Sequence, residues 1–216
     1  MKTKLIIAAL ACALSINAAQ ADVQSSLGVK HTSDYYYRGA QLSQDALQLN
    51  VGVNTTMSGL DVSVGYLTNQ AADDTNTDTL SLQIGKTVLD KRLNLVAGVY
   101  NMDADGSPDH TQVYIGGSLN VLLSPTVTVF RDTSDDLYTY EFGVYHGFDV
   151  GGADLTLGAA VGRTELTSVL DRDYGSVSAR LSKTIGAVTP HVQVALVDSD
   201  ITSRETVVCL GVDFKF

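Results

Sequence analysis

From Val208 to the end of the chain the residues alternate without a break. Val208, Leu210, Val212, Phe214 and Phe216 are apolar, and Cys209, Gly211, Asp213 and Lys215 between them are small or charged. Successive side chains of a strand point to opposite faces, so this segment reads as a strand with one greasy face and one small or polar face. The same period of two recurs along the rest of the chain. Leu47, Leu49, Val51 and Val53 alternate with Gln48, Asn50, Gly52 and Asn54; Leu80, Leu82 and Ile84 alternate with Ser81, Gln83 and Gly85. Tyr138, Tyr140, Phe142 and Val144 alternate with Thr139, Glu141 and Gly143, and Leu155, Leu157, Ala159 and Val161 with Asp154, Thr156, Gly158 and Gly162. Around Val127 and Val129 a shorter strand is expected whose phase is undefined, because Phe130 and Arg131 contradict the alternation. The total is about twelve strands, an even number of the kind single-chain bacterial barrels use.

The N-terminus has a different character. Lys2 and Lys4 precede an apolar run from Leu5 to Leu14, and Ala19-Gln20-Ala21 follows. A positive start, a short apolar core and a small-x-small site define a secretory signal peptide over residues 1–21, with a single domain over 22–216. The apolar run is well short of the roughly 20 residues a membrane-spanning helix requires. Removal of the signal takes two of the 14 cationic residues and none of the 24 acidic ones, so the mature chain is more acidic than the whole-chain formal charge of −10. Nucleic-acid binding, which needs a basic stripe, is excluded on that ground. Cys12 leaves with the signal and Cys209 has no partner for an intrachain disulfide.

The connections sort by length. Ser58-Gly59, Leu89–Arg92, Leu122–Pro125, Gly151-Gly152 and Gly186 read as tight turns. Gly39–Ala46, Asn69–Asp78, Asp103–Asp109, Asp132–Asp136, Arg163–Asp173 and Asp198–Arg204 read as longer loops. Short turns at one end and long loops at the other are the pattern of an outer-membrane barrel, with both termini at the periplasmic end. The expected fold is therefore all-β: an antiparallel transmembrane β-barrel of about twelve strands, with short periplasmic turns and longer extracellular loops.

In such a barrel the apolar face meets lipid and the polar face lines the lumen. Lys30, Asp34, Arg38, Asp61, Glu141, Asp149, Asp154, Arg180 and Asp213 fall on the polar phase and are the candidate pore-lining charges. Tyr35, Tyr37, Tyr66, Tyr138 and Tyr140 on the apolar phase, with Phe148, Phe214 and Phe216 at the other end, read as interfacial girdles. Most of the acidic residues lie in the long connections, where solvated loops are the plain explanation and divalent cations bridging lipopolysaccharide phosphates the sharper one. Asp103, Asp105 and Asp109, with Gly106 between them, resemble a calcium loop but lack the bidentate glutamate at its end, so no confident metal site follows. The four histidines have no sequence-evident nucleophile beside them, nothing calls for a cofactor, and the chain reads as no enzyme.

Two segments carry a resemblance. A strand ending the chain on a bare Phe216, with Phe214 before it, resembles the terminal strand of outer-membrane barrels, which implies recognition of these residues by the barrel assembly machinery. Ser33-Asp34-Tyr35-Tyr36-Tyr37-Arg38-Gly39, then Ser43 and Ala46-Leu47-Gln48, resembles the opening signature of the Gcw_chp or TorF-type porin family, S-D-Y-x-x-R-G-x-x-x-S followed by A-x-Q. The match covers the start of the mature chain and departs at Tyr36-Tyr37, where the family commonly has an aliphatic residue then Phe. The resemblance implies an outer-membrane location and a porin. From the residues themselves, Asp34 and Arg38 share the lumen phase at the top of the first strand and are expected to enter an interior charge network.

The function expected on these grounds is passive diffusion of small hydrophilic solutes through the barrel, with a mild cation preference from the acidic rim. The partners expected are outer-membrane lipid and lipopolysaccharide, the assembly machinery and small solutes, with monomer and homo-oligomer both open. The alternatives are a non-conducting structural or adhesion barrel acting through its acidic loops, and a soluble periplasmic lipocalin-like binding barrel.

Overall fold

The computed structural model describes residues 23–72, 75–105, 109–167 and 170–216. The signal peptide expected over residues 1–21 lies outside them, as do residues 106–108 of the calcium-like loop. Twelve strands follow one another: β1 Val23–Tyr37, β2 Ala40–Met57, β3 Leu60–Ala71, β4 Thr77–Val88, β5 Leu93–Ala104, β6 His110–Leu119, β7 Thr126–Asp132, β8 Tyr138–Asp149, β9 Asp154–Thr167, β10 Leu170–Ser182, β11 Val188–Ser199 and β12 Glu205–Lys215. Each pairs antiparallel with its neighbours in sequence, and β1 pairs with β12 to close the barrel. The closing register sets Leu27 opposite Phe214 and His31 opposite Leu210, with Lys30 opposite Gly211. Closure leaves no sheet edge for lipid to meet, which is why the terminal alternation can be so apolar without aggregating.

Side-chain burial is inverted relative to a soluble domain. The largest fully buried side chains are Gln48, Asn69 and Thr32, while Ile115 is 65% exposed and Leu210 59%. Gln48 Nε2 donates to Asn69 Oδ1 at 2.9 Å, and Asn69 Nδ2 donates to Ser43 Oγ at 2.9 Å, so the buried amides are linked across β2 and β3. A water-soluble barrel would hide its Leu, Ile and Val inside; here they form a continuous outer belt and the polar phase faces inward. That arrangement is stable only with hydrocarbon around it, and the chain is a transmembrane β-barrel. Ile115 lies mid-strand on the outer face. Ile115→Arg should therefore lower the folding stability by about 2–4 kcal/mol, the depth-dependent cost of a cation on the lipid face. Urea titration of vesicle-folded barrel measures it.

Three sequence expectations change. Two of the connections expected to be long, Gly39–Ala46 and Arg163–Asp173, are largely paired ribbon, while 133–137 and 200–204 stay as loops. Of Gly39–Ala46 only Gly39 belongs to a turn, the two-residue Arg38-Gly39 with φ values of 50° and 75°, and β2 begins at Ala40. Positive φ at both central residues is the hairpin turn whose twist matches its strands, and glycine makes the second position inexpensive. β3 runs to Ala71 and β9 to Thr167 in the same way, so part of the outer end of the barrel is raised by strand. The cause is local: polar rim residues erase the apolar alternation, but the backbone ladder continues without it.

The second change concerns β7, whose phase the sequence leaves open. Phe130 faces the lumen, its ring 5.5 Å from Tyr114, and Arg131 points outward to Asp136 at 2.6 Å. The third concerns Tyr37, expected in the outer girdle. A bulge that leaves Leu42 of β2 without a partner shifts the register between Tyr35 and Tyr36 where the ribbon bends, and Tyr37 lies inward with its ring edge-on to Tyr100 at 6.3 Å.

Candidate functional site

The signature stretch Ser33–Gly39 and its partner strand form the most specific piece of the molecule. Pairing of β1 with β12 stops at Thr32, and pairing of β2 with β3 stops at Ala46. Above these points β1 and β2 are paired only with each other, a two-stranded ribbon free to bend as one body. Two local features bend it: the bulge after Tyr35, and Asp45 with φ of 48°. Thr32 Oγ1 donates to the Asp34 carbonyl at 2.6 Å, and Gln41 Nε2 donates to Asp34 Oδ1 at 2.7 Å, tying the bend across the ribbon.

The bent ribbon crosses the lumen. In ring order β1 lies six strands from β7 in either direction, the diametrically opposite wall. Arg38 nevertheless reaches that wall. Its Nη1 donates to Gln112 Oε1 at 2.6 Å and to Thr139 Oγ1 at 3.3 Å, and its guanidinium sits 3.8 Å from the centroid of Phe130. Tyr37 and Tyr100 flank it at 4.7 and 5.9 Å, and Glu141 Oε2 lies 4.0 Å from Nε. Gln112 is held in place by Tyr100, whose hydroxyl donates to the same Oε1, and by Asp132, which accepts from Nε2 at 3.3 Å. The Arg38 side chain is 6% exposed. A charge this deep requires hydrogen-bond partners and a counter-charge, and it has both.

The other side of the tip rests on β10 and β11. Arg172 Nη1 donates to the Arg38 carbonyl at 3.5 Å, Ser199 Oγ to the Gly39 carbonyl at 3.0 Å, and Thr202 Oγ1 to the same oxygen at 3.2 Å. Tyr174 packs against Gly39 and, lower down, lies flat over Gly162, where a Cβ would collide with its ring. The site is thus an aromatic shelf of Tyr37, Tyr100, Tyr114 and Phe130 around one guanidinium, and the ribbon bridges the outer mouth from wall to wall.

The charges picked from the sequence separate into three levels. Arg38 and Glu141 are at the mouth. Lys30, Arg180 and Asp213 are on the lower wall, with Arg180 Nη2 donating to Asp213 Oδ2 at 2.7 Å. Asp61, Asp149 and Asp154 are beside the inner turns, where Thr56 Oγ1 donates to Asp61 and the Gly152 amide to Asp149. Of the two residues expected in an interior charge network, Arg38 enters one, with Glu141 and Gln112, and Asp34 does not. Arg38 leaves the strand with the turn and pairs across the barrel, while Asp34 is engaged by Gln41. Sequence reading missed Tyr100, Phe130, Arg172 and Tyr174. Their parity marks three of them as inward, but only the folded ribbon shows what they meet.

At the rim, acids are already partnered. Arg163 forms a bidentate pair with Asp173, Arg204 donates to Asp198, and Glu165 accepts the Tyr138 amide. Such exposed pairs contribute about 0–1 kcal/mol each and mainly order the ribbon ends. In the calcium-like loop Asp105 accepts from Asn76 Nδ2 at 3.0 Å. Among the described residues the one group of His, Cys, Asp or Glu close enough to share an ion is instead His110, Asp132 and Asp135. Asp132 there already accepts the Ser134 and Asp135 amides and the Gln112 side chain, which is a sufficient structural role.

Fold and lumen together define the class: a closed twelve-stranded transmembrane barrel with a polar interior and a hairpin across one mouth. Similar architectures are known. The KdgM porin in complex with disordered oligogalacturonate superposes with a TM-score of 0.63 at 16% identity, covering 88% of this chain and 99% of that one. The NanC porin gives 0.59 at 12% identity, over 88% and 100% of the two chains. An outer membrane channel from Pseudomonas putida F1 gives 0.58 at 11%, over 90% and 95%. No protein-family model matches the chain and no curated protein matches its sequence, so the likeness is one of fold.

Proposed function

We propose that the protein is an outer-membrane, porin-like channel for passive diffusion of small hydrophilic solutes, crossed at its outer mouth by the β1–β2 ribbon. The observation that carries this reading is the inverted barrel, with an apolar belt outside and a polar, charge-bearing wall inside. Likeness to porin barrels and the Ser33–Gly39 resemblance support it, as does the resemblance of the Phe214–Phe216 end to an assembly signal. The proposal includes export by the signal peptide, insertion by the barrel assembly machinery and contact with lipopolysaccharide at the acidic rim. Rim acids favour cations at the mouth, while Lys30, Arg38, Arg172 and Arg180 inside oppose them, so any cation preference is mild.

No catalytic step belongs to this reading. His31 pairs with Asp45 at the outer surface, and His146 packs edge-on against Phe148 at 4.4 Å. His110 and His191 lie beside carboxylates, at 3.4 Å from Asp132 and Asp213. One second reading has a specific observation behind it: the ribbon across the mouth suits a barrel that is closed at rest. Purified protein should need detergent to stay in solution and should give discrete conductance steps in a planar bilayer. A folded barrel that conducts neither as wild type nor after trimming of the ribbon overturns the channel reading.

A further inference from the structure

A second polar constellation lies on the lower lumen wall, away from the ribbon. Lys30 of β1, Arg180 of β10, His191 of β11 and Asp213 of β12 converge on a concavity of about 200 Å³. Gly211 keeps it open: a Cβ there would stand 2.6 Å from His191 Nε2 and 2.7 Å from Lys30 Cβ. Asp213 is committed to Arg180 through the 2.7 Å bond to Nη2. Several buried polar atoms around the concavity have no hydrogen-bond partner: Arg180 Nε, His191 Nδ1 and, on the β2 side, Gln48 Oε1. His191 is 5% exposed, and Nδ1 stands 3.4 Å from Asp213 Oδ2 without bonding it. Lys30 makes no hydrogen bond or ion pair with any described residue.

A buried polar atom without a partner is costly, and here two of them share a pocket with an unpaired ammonium. Counting Arg180 against Asp213 leaves Lys30 as the net charge, so the pocket is positive in an otherwise acidic protein. We propose that it is a subsite for the carboxylate group of a solute passing through the barrel. Lys30 supplies the charge, the Arg180 Nε–H and the His191 Nδ1–H (in the tautomer that carries it) supply directed donors, and Gln48 Oε1 accepts a hydroxyl of the same solute. A concavity of this size holds a carboxylate with a few waters and excludes anything much larger. The inference rests on the channel reading for how the solute arrives, and not for whether it binds.

Binding is tested without conduction. Barrel folded in detergent micelles is titrated with sodium gluconate, and with glucose as the uncharged control, while the ring resonances of His191 are followed by NMR. Gluconate should produce a saturable shift and glucose none. Lys30→Gln, which orphans no partner, should weaken gluconate about tenfold, the loss of one charge-assisted contact, and Lys30→Arg should keep most of the affinity. Heat-modifiable gel mobility confirms that each variant is folded. No saturable shift, an equal response in Lys30→Gln, or an equal response to glucose overturns the subsite. In planar bilayers the same proteins separate the two claims: conductance without gluconate binding sinks the subsite alone, and binding without conductance in any variant sinks the channel alone.

Discussion

Arg38→Ala is expected to open the outer mouth. The guanidinium ties the ribbon tip to the far wall, through Gln112, Thr139, Phe130 and the Glu141 carboxylate. A hydrogen bond from a charged donor contributes about 1.5–3 kcal/mol, and a desolvated cation–π contact up to about 2 kcal/mol. Loss of even one such interaction shifts a closed-to-open equilibrium by about tenfold, since 1.4 kcal/mol is a factor of ten. Single-channel recordings of Arg38→Ala should show a higher open probability, a larger conductance, or both. Arg38→Lys should fall between, because an ammonium can hold one acceptor but cannot stack on Phe130 while bonding Gln112. Asp34→Asn is the control: Asp34 touches only the ribbon itself, so its recordings should match wild type. Equal conductance in wild type and Arg38→Ala would show that the ribbon is not the barrier.

Deletion of Phe216 should act on assembly and leave the pore alone. The Phe216 amide donates to the Ser25 carbonyl at 2.9 Å, and its own carbonyl accepts from the Ser25 amide at 3.1 Å, the last rung joining β12 to β1. Its ring is 72% exposed and stacks on Phe214 with the planes 7° apart and the centroids 6.5 Å apart. Two backbone bonds at about 1 kcal/mol each are a small part of a closed ladder, so barrels that do form should keep wild-type conductance. The proposed assembly role instead has Phe214 and the exposed Phe216, at the end of the closing strand, recognised before closure. In cells the heat-modifiable, folded form should fall to a minority of the protein produced, while detergent refolding in vitro should be only mildly affected. A normal cellular yield with altered conductance would reverse the assignment.

Both effects come from parts of the chain that are read with different ease. The alternation of Val208 to Phe216, Leu80 to Ile84 and Tyr138 to Val144 is a covalent property, and strand geometry converts it directly into two faces. The twelve strands, the closed antiparallel order and the inward parity of Lys30, Glu141, Arg180 and Asp213 were legible for that reason. The phase of β7 was not, because Phe130 and Arg131 read against the alternation and only their partners decide between them: the cationic tip for one, Asp136 for the other.

The ribbon was the hardest to read. Its residues carry a family-like signature, yet Tyr37 was expected to face lipid, and Arg38 and Asp34 were expected together in an interior charge network. The bend of the ribbon at a β2 bulge changes the first, and a two-residue turn carries Arg38 away from Asp34 to the far wall. Neither leaves a mark in hydrophobic periodicity, since a bulge costs one register step and no change in composition. Likewise the carboxylate-sized concavity needs β1 brought against β10, β11 and β12 from the other end of the chain, and no spacing in the sequence announces it.

By itself, then, the sequence determined about twelve two-faced strands, because period-two alternation fixes the faces of a strand, and the sorting of its connections by length pointed to a barrel with lipid outside. The tertiary structure alone decided that the mouth is bridged and by what. Arg38 and its acceptors on β6 and β8 are separated by 74 and 101 residues in sequence. They meet because closing twelve strands puts β1 across from β7, and because a ribbon released from both neighbours bends to where its buried charge finds acceptors and a counter-charge.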